Sequence, residues 1–210
     1  MEIAGGRRRR LGFIVALVAV VAVAVVVLVV QLHRSAPAGV LQPGDELKTA
    51  EVKPYGWSGS MAVGARFTNG LNFIPVSDHA KGPLRLISVT PVLDQGPVLR
   101  VVGVLARITP DMLPKDADTG WFESANGFPP KDHDAAGGVD PAGLTVRVPA
   151  SGEVLNVELQ IGYQVAAVGK SNQLGVRVRY DYQGAIHEIL IPSHITICAP
   201  AKAACSADHS

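Results

Sequence analysis

Neither sign of charge dominates this chain: 19 basic and 18 acidic residues leave a formal net charge of +1. That lack of a basic excess argues against nucleic-acid binding, which needs a positively charged face. Cysteine is scarce too. Cys198 and Cys205 are the only two, so at most one intramolecular disulfide can form. There is no Gly-x-Ser-x-Gly elbow, which removes the commonest serine-nucleophile turn, and His79, His187 and His194 have no partner at a catalytic spacing. Beyond residue 48 no stretch carries a convincing helical period.

Long apolar runs, by contrast, are present once. Residues 11–30 are 20 consecutive uncharged residues, nearly all Val, Ala, Leu and Ile. A helix of that length spans about 30 Å, the thickness of a bilayer's hydrocarbon core. Arg7, Arg8, Arg9 and Arg10 precede it, and only His33 and Arg34 follow directly. The bias of cationic residues towards the cytoplasm predicts a basic tail over 1–10, a transmembrane helix over 11–32 and a stalk over 33–48. Everything beyond is then extracytoplasmic, on a single-pass protein of the plasma membrane whose first partner is the lipid bilayer. A cleaved secretory signal ending at Ala38, in "SAPAG", is the rival reading; the run is longer than signal cores of roughly 7–15 residues.

The remaining residues are enough for one domain with its own core and short for two. They read as β-structure. In "EVLNVELQIGYQV" the residues Leu155, Val157, Leu159, Ile161, Tyr163 and Val165 alternate with Asn156, Glu158, Gln160, Gly162 and Gln164. Strict alternation predicts one packed face and one wet face. "LGVRVRYDY" repeats the pattern, Gln183-Gly184 turns the chain, and "AIHEILIPSHITIC" follows. Three consecutive strands with short turns predict an antiparallel meander. Asn69-Gly70 predicts a type I′ hairpin turn, with Ala65 opposite Ile74 and Val63 opposite Val76. Pro91 cannot donate to a ladder and marks an edge or a bulge. About eight strands at turn-punctuated spacing predict an all-β, immunoglobulin-like antiparallel sandwich over 49–198, without the Cys…Trp…Cys pattern of antibody domains.

Residues 109–143 break the rhythm as a long Pro/Gly-rich insertion holding seven of the acids. Asp116, Asp118, Asp132 and Asp134 are weak metal-site candidates, because "DAD" and "DHD" space carboxylates as Ca²⁺ loops do. The Gly comes a residue early and the bidentate Glu is missing, so a solvated acidic loop is the simpler expectation, with no cofactor. Trp121, Phe122 and Phe128 predict that the loop packs on something, its own sandwich or a partner.

Cys198 closes the last strand-like run, and His133 lies 65 residues before it. That spacing resembles the sortase family of membrane-anchored transpeptidases. The resemblance implies Cys198 as nucleophile and His133 as base. The family's following Arg is absent, and "ITICAP" matches its Thr-Leu-x-Thr-Cys signature only loosely. Outside the cytoplasm an even pair of cysteines is normally oxidised, and "APAKAA" bends back easily, so a Cys198–Cys205 disulfide in the tail over 199–210 is expected instead. The function expected is a non-enzymatic binding or accessory module at the cell envelope with a protein partner. A Ca²⁺- or ligand-dependent domain using the insertion is the alternative, and a sortase-like enzyme comes third.

Overall fold

The structure is a computed structural model and describes residues 40–52, 54–113 and 123–206. It is all-β. Eleven strands are found among the described residues: β1 (Val40–Leu41), β2 (Tyr55–Ser60), β3 (Arg66–Val76), β4 (Leu84–Leu93), β5 (Leu99–Thr109), β6 (Ser124–Asn126), β7 (Thr145–Val146), β8 (Leu155–Val165), β9 (Gly169–Tyr182), β10 (Ala185–Ile191) and β11 (Ser193–Ala199). The expected count of about eight lacks β1, β2 and β6, divides β3 into two hairpin strands and takes β10 and β11 as one. The basic tail, the apolar run and the stalk up to residue 39 lie outside the described residues, as do Asp116, Asp118, Trp121 and Phe122.

Two sheets enclose one core. The larger runs β1-β10-β9-β11-β2, with β4 and β7 attached through β9 and β4; the smaller runs β5-β8-β3-β6. The core is the alternating set read from the sequence: Leu155, Val157, Leu159 and Ile161 of β8 meet Val176, Val178 and Tyr180 of β9, all at most 1% exposed. Each such aliphatic side chain contributes about 1.5–3 kcal/mol by leaving water.

The expected meander is corrected. β8 pairs with β3 and β5 in the smaller sheet, whereas β9 pairs with β4, β10 and β11 in the larger one. Alternation tells which face of a strand is apolar; it carries nothing about which sheet holds that strand. Gln183-Gly184 does turn the chain, with φ of 54° and 80° as a type I′ turn requires. β9 then pairs back with β10 and β11, which continue one another across Pro192. Pro91 sits on β4 beyond the two residues that pair with β7. An extra residue in β9, Leu174, turns outward at a bulge, and Gln173 takes the interior place.

Asn69-Gly70 makes no hairpin. β3 runs straight through it to Val76, paired with β8 on both sides. Residues 42–48 are no stalk either. Glu46 and Leu47 are buried, Leu47 bridges Val76, and Glu46 accepts from the Tyr180 hydroxyl at 2.6 Å.

Candidate functional site

The interruption of β3 builds the site. Asn69 lies opposite Ile161 and Asn72 opposite Leu159, so Gly70 and Leu71 together face the single residue Gln160. This is a β-bulge, which re-aims the side chains around it. Leu71 is held at φ 55°, a left-handed conformation that costs a β-carbon about 1–2 kcal/mol. Asn72 offsets the strain: its buried amide donates to Gly70 O at 2.8 Å and to Leu159 O at 3.1 Å. Asn69 Oδ1 accepts the Trp57 indole N–H at 3.1 Å, and Gly70 N donates to Glu123 O. The Asn-Gly signal is therefore spent on a bulge inside a long strand.

Beyond the bulge Leu71, Phe73 and Pro75 line one wall of an open groove of about 570 Å³. Ala50, Val52, Pro54 and Tyr55 form the facing wall, with Ile191, Pro192, Val154 and Asn156 completing the lining. Among the described residues Glu51 is the one charged residue of the lining. The Tyr55 hydroxyl bonds the Glu123 carboxylate, and burial followed by that carboxylate pushes the phenol's pKa up. It stays a donor at any physiological pH. A concave, apolar surface with few polar groups is what binding sites present.

A second cluster lies on the outer face of the smaller sheet. Glu158 and Gln160, expected to be wet, are fully buried, and so is Arg107. The insertion covers them. Arg107 Nε donates to Glu158 Oε2 at 2.8 Å, and its Nη1 donates to the carbonyls of Asp134 and Ala136 at 2.6 and 2.8 Å. Gln160 Nε2 donates to Ala135 O, and Ala106 and Val139 exchange two backbone bonds. The ring of Phe128 rests on Gly103 and Gly162, where a Cβ at either glycine would overlap it. One expected aromatic is thus packed on the protein's own sheet.

Asp132 and Asp134 are exposed, and among the described residues no three His, Cys, Asp or Glu side chains converge to hold a metal. Cys198 and Cys205 are bonded to each other, with Cα atoms 5.6 Å apart. The thiol that a sortase-like nucleophile needs is therefore occupied. The groove, the buried Arg107–Glu158 pair and the Glu46 anchor were not foreseen. In an alternating strand a charged residue on the polar face reads as solvated, and only the length of the insertion hinted that something covers it.

No family model matches the chain, and no curated protein matches it. Among solved structures, the CooA pilin subunit from enterotoxigenic Escherichia coli is similar at a TM-score of 0.33 and 9% identity, over 76% of this chain and 96% of that one. A likeness that distant bears on neither fold nor function.

Proposed function

We propose that the protein is a membrane-anchored, extracytoplasmic binding module with an immunoglobulin-like sandwich, which holds an apolar segment of a protein partner in the groove between residues 50–55 and β3. The observation that carries this reading is the groove itself: a strained leucine, Leu71, is maintained at its wall by a buried asparagine, and the lining is almost wholly apolar among the described residues. Backbone strain persists where the surroundings over-determine it, commonly at sites of function. The disulfide supports an oxidising compartment, as does the apolar run behind four arginines. β2 pairs with β11 in parallel at the edge of the larger sheet, a departure from the antiparallel sandwich expected, while the other named strand pairs are antiparallel.

The test is site-specific photocrosslinking in intact cells. A photoreactive residue at Val154, 67% exposed at the groove, should give a discrete protein adduct. The same residue at Val168, 65% exposed in the turn before β9, should give none. Equal labelling from both positions, or none from Val154, removes the groove from the reading.

A further inference from the structure

We propose that the free edge of β2 is an interface through which two copies of this chain pair, joining their larger sheets into one. The inference does not rest on the groove reading.

β2 ends the larger sheet, and among the described residues only β11 pairs with it. Tyr55 N donates to Pro192 O, and Met61 N donates to Cys198 O. Backbone groups alternate sides along a strand, so the odd-numbered residues of β2 face β11 and the even-numbered ones face away. The N–H and C=O groups of Gly56, Ser58 and Ser60 therefore form an open edge, with no register shift to twist it. Open edges invite pairing unless a charge, a proline, a bulge or a covering segment blunts them. The other edges are treated in that way. Pro91 interrupts β4, Val139 bridges to β5, β6 and Leu47 take the two ends of β3, and β1 is only two residues long. β2 reads Tyr-Gly-Trp-Ser-Gly-Ser, without charge or proline.

The occupant that fits this edge is a second copy of it. Antiparallel pairing about a two-fold axis at Ser58 sets Ser58 opposite Ser58 and Gly56 opposite Ser60. Each outward N–H then meets an outward C=O of the other copy, and main-chain bonds of this kind supply the affinity when a strand is added to a sheet. The side chains offer no obstacle. Between those pairs Trp57 opposes Gly59, and its indole is already tied to Asn69 Oδ1 at 3.1 Å. No two bulky or like-charged side chains of β2 meet. The ends are complementary too. The exposed Lys202 stands at the Ser60 end, where its backbone N–H donates to Ser60 Oγ. The exposed Glu123 stands at the Tyr55 end, where its carboxylate bonds the phenol. A two-fold axis brings the cationic end of each copy to the anionic end of the other. Such an interface is isologous and closes as a dimer.

Hydrogen exchange on the full chain in mild detergent, read beside its mass in solution at rising concentration, tests this. The wild type should pass to a dimer, and the Gly56, Ser58 and Ser60 amides should gain protection in step with it. Ser58→Lys sets two ammonium groups against each other on the axis. Ser58→Pro removes the central donor without touching the bonds to β11. Both variants should stay monomeric and leave these amides unprotected, while β8 and β9 keep their protection. Ser58→Cys should crosslink to its own kind, because opposed Cα atoms in a hydrogen-bonded antiparallel pair stand about 5.5 Å apart, within disulfide reach. Val168→Cys, at an exposed turn, should not. A wild type that stays monomeric overturns the proposal, as does a dimer that survives Ser58→Lys. Protection of the three amides in the monomer overturns it as well, since another part of the chain would then cover the edge. Should Ser58→Lys and Ser58→Pro lose protection in β8 and β9, the Ser58→Cys crosslink decides, and its absence sinks the interface.

Discussion

Gly103 and Gly162 stand opposite one another across β5 and β8, and the ring of Phe128 lies where their side chains would be. The register shift beside Gly103 brings the two glycines level. Neither has a positive φ, so neither is needed for its backbone. Both are there to make a flat floor.

Gly162→Val should therefore push Phe128 off the sheet and free the segment around it. Overpacking of this kind costs about 1–3 kcal/mol. Gly82→Val, at a site with no neighbour within 4 Å, should stay within about 0.5 kcal/mol of wild type. Urea midpoints of the two variants, read side by side, decide the matter; equal midpoints would show that the floor carries no packing.

Cys205→Ser should destabilise the C-terminal end of β11 by about 2–3 kcal/mol, the loop-entropy value for so short a ring. Cys198 should resist alkylation in the native wild type and label once Cys205 is removed. Rapid native labelling at Cys198, abolished by His133→Ala, would revive the sortase-like reading.

Acid should weaken the domain through an exposed network. Arg147 bonds Asp111 and Glu153 with two nitrogens each. The Arg147 guanidinium, followed by the Ala150 amide, holds the Glu153 carboxyl down at about 2. A depressed carboxyl contributes stability above its ordinary value of 4.5 and loses it as pH falls towards 2. Glu153→Gln should flatten the fall in urea midpoint between pH 5 and pH 2. Because the network is exposed, 0.5 M salt should shrink the difference. A variant that tracks wild type through this window would rule the network out.

Protease added to spheroplasts should digest the chain beyond residue 40 and leave a membrane-bound N-terminal fragment, if Arg7 to Arg10 stay in the cytoplasm. A protected C-terminal tag, or a mature protein starting at Gly39, would reverse that topology.

Much of the interior was legible in advance. Leu155 to Val165 and Val176 to Tyr182 alternate because one face of each strand meets the core, and that rule is local. Cys198 and Cys205 were legible because seven residues of separation leave few alternatives. The groove was not, because its making depends on a decision between two uses of Asn69-Gly70. The dipeptide favours a turn on its own. Pairing of residues on both sides of it with β8 outweighs that preference, and the excess residue is absorbed as a bulge. Nor did the polar face of β8 announce its burial. Glu158 and Gln160 look solvated until residues 134–136 are known to lie across them. The buried Glu46 was hidden likewise, in a Pro/Gly-containing stretch where partners 134 positions downstream leave no local trace.

β2 runs parallel to β11, from Tyr55 beside Ser193 to Ser60 beside Cys198. A ribosome therefore makes the first strand of that pair long before the second exists. Contacts between such distant segments are slow to form, because a long loop must close before they reward it. If the domain crosses a membrane beginning with the residues just after the apolar run, the outer strand of the larger sheet waits unpaired until almost the whole domain has emerged. Assembly must then finish outside, and the disulfide at the end of β11 seals it last.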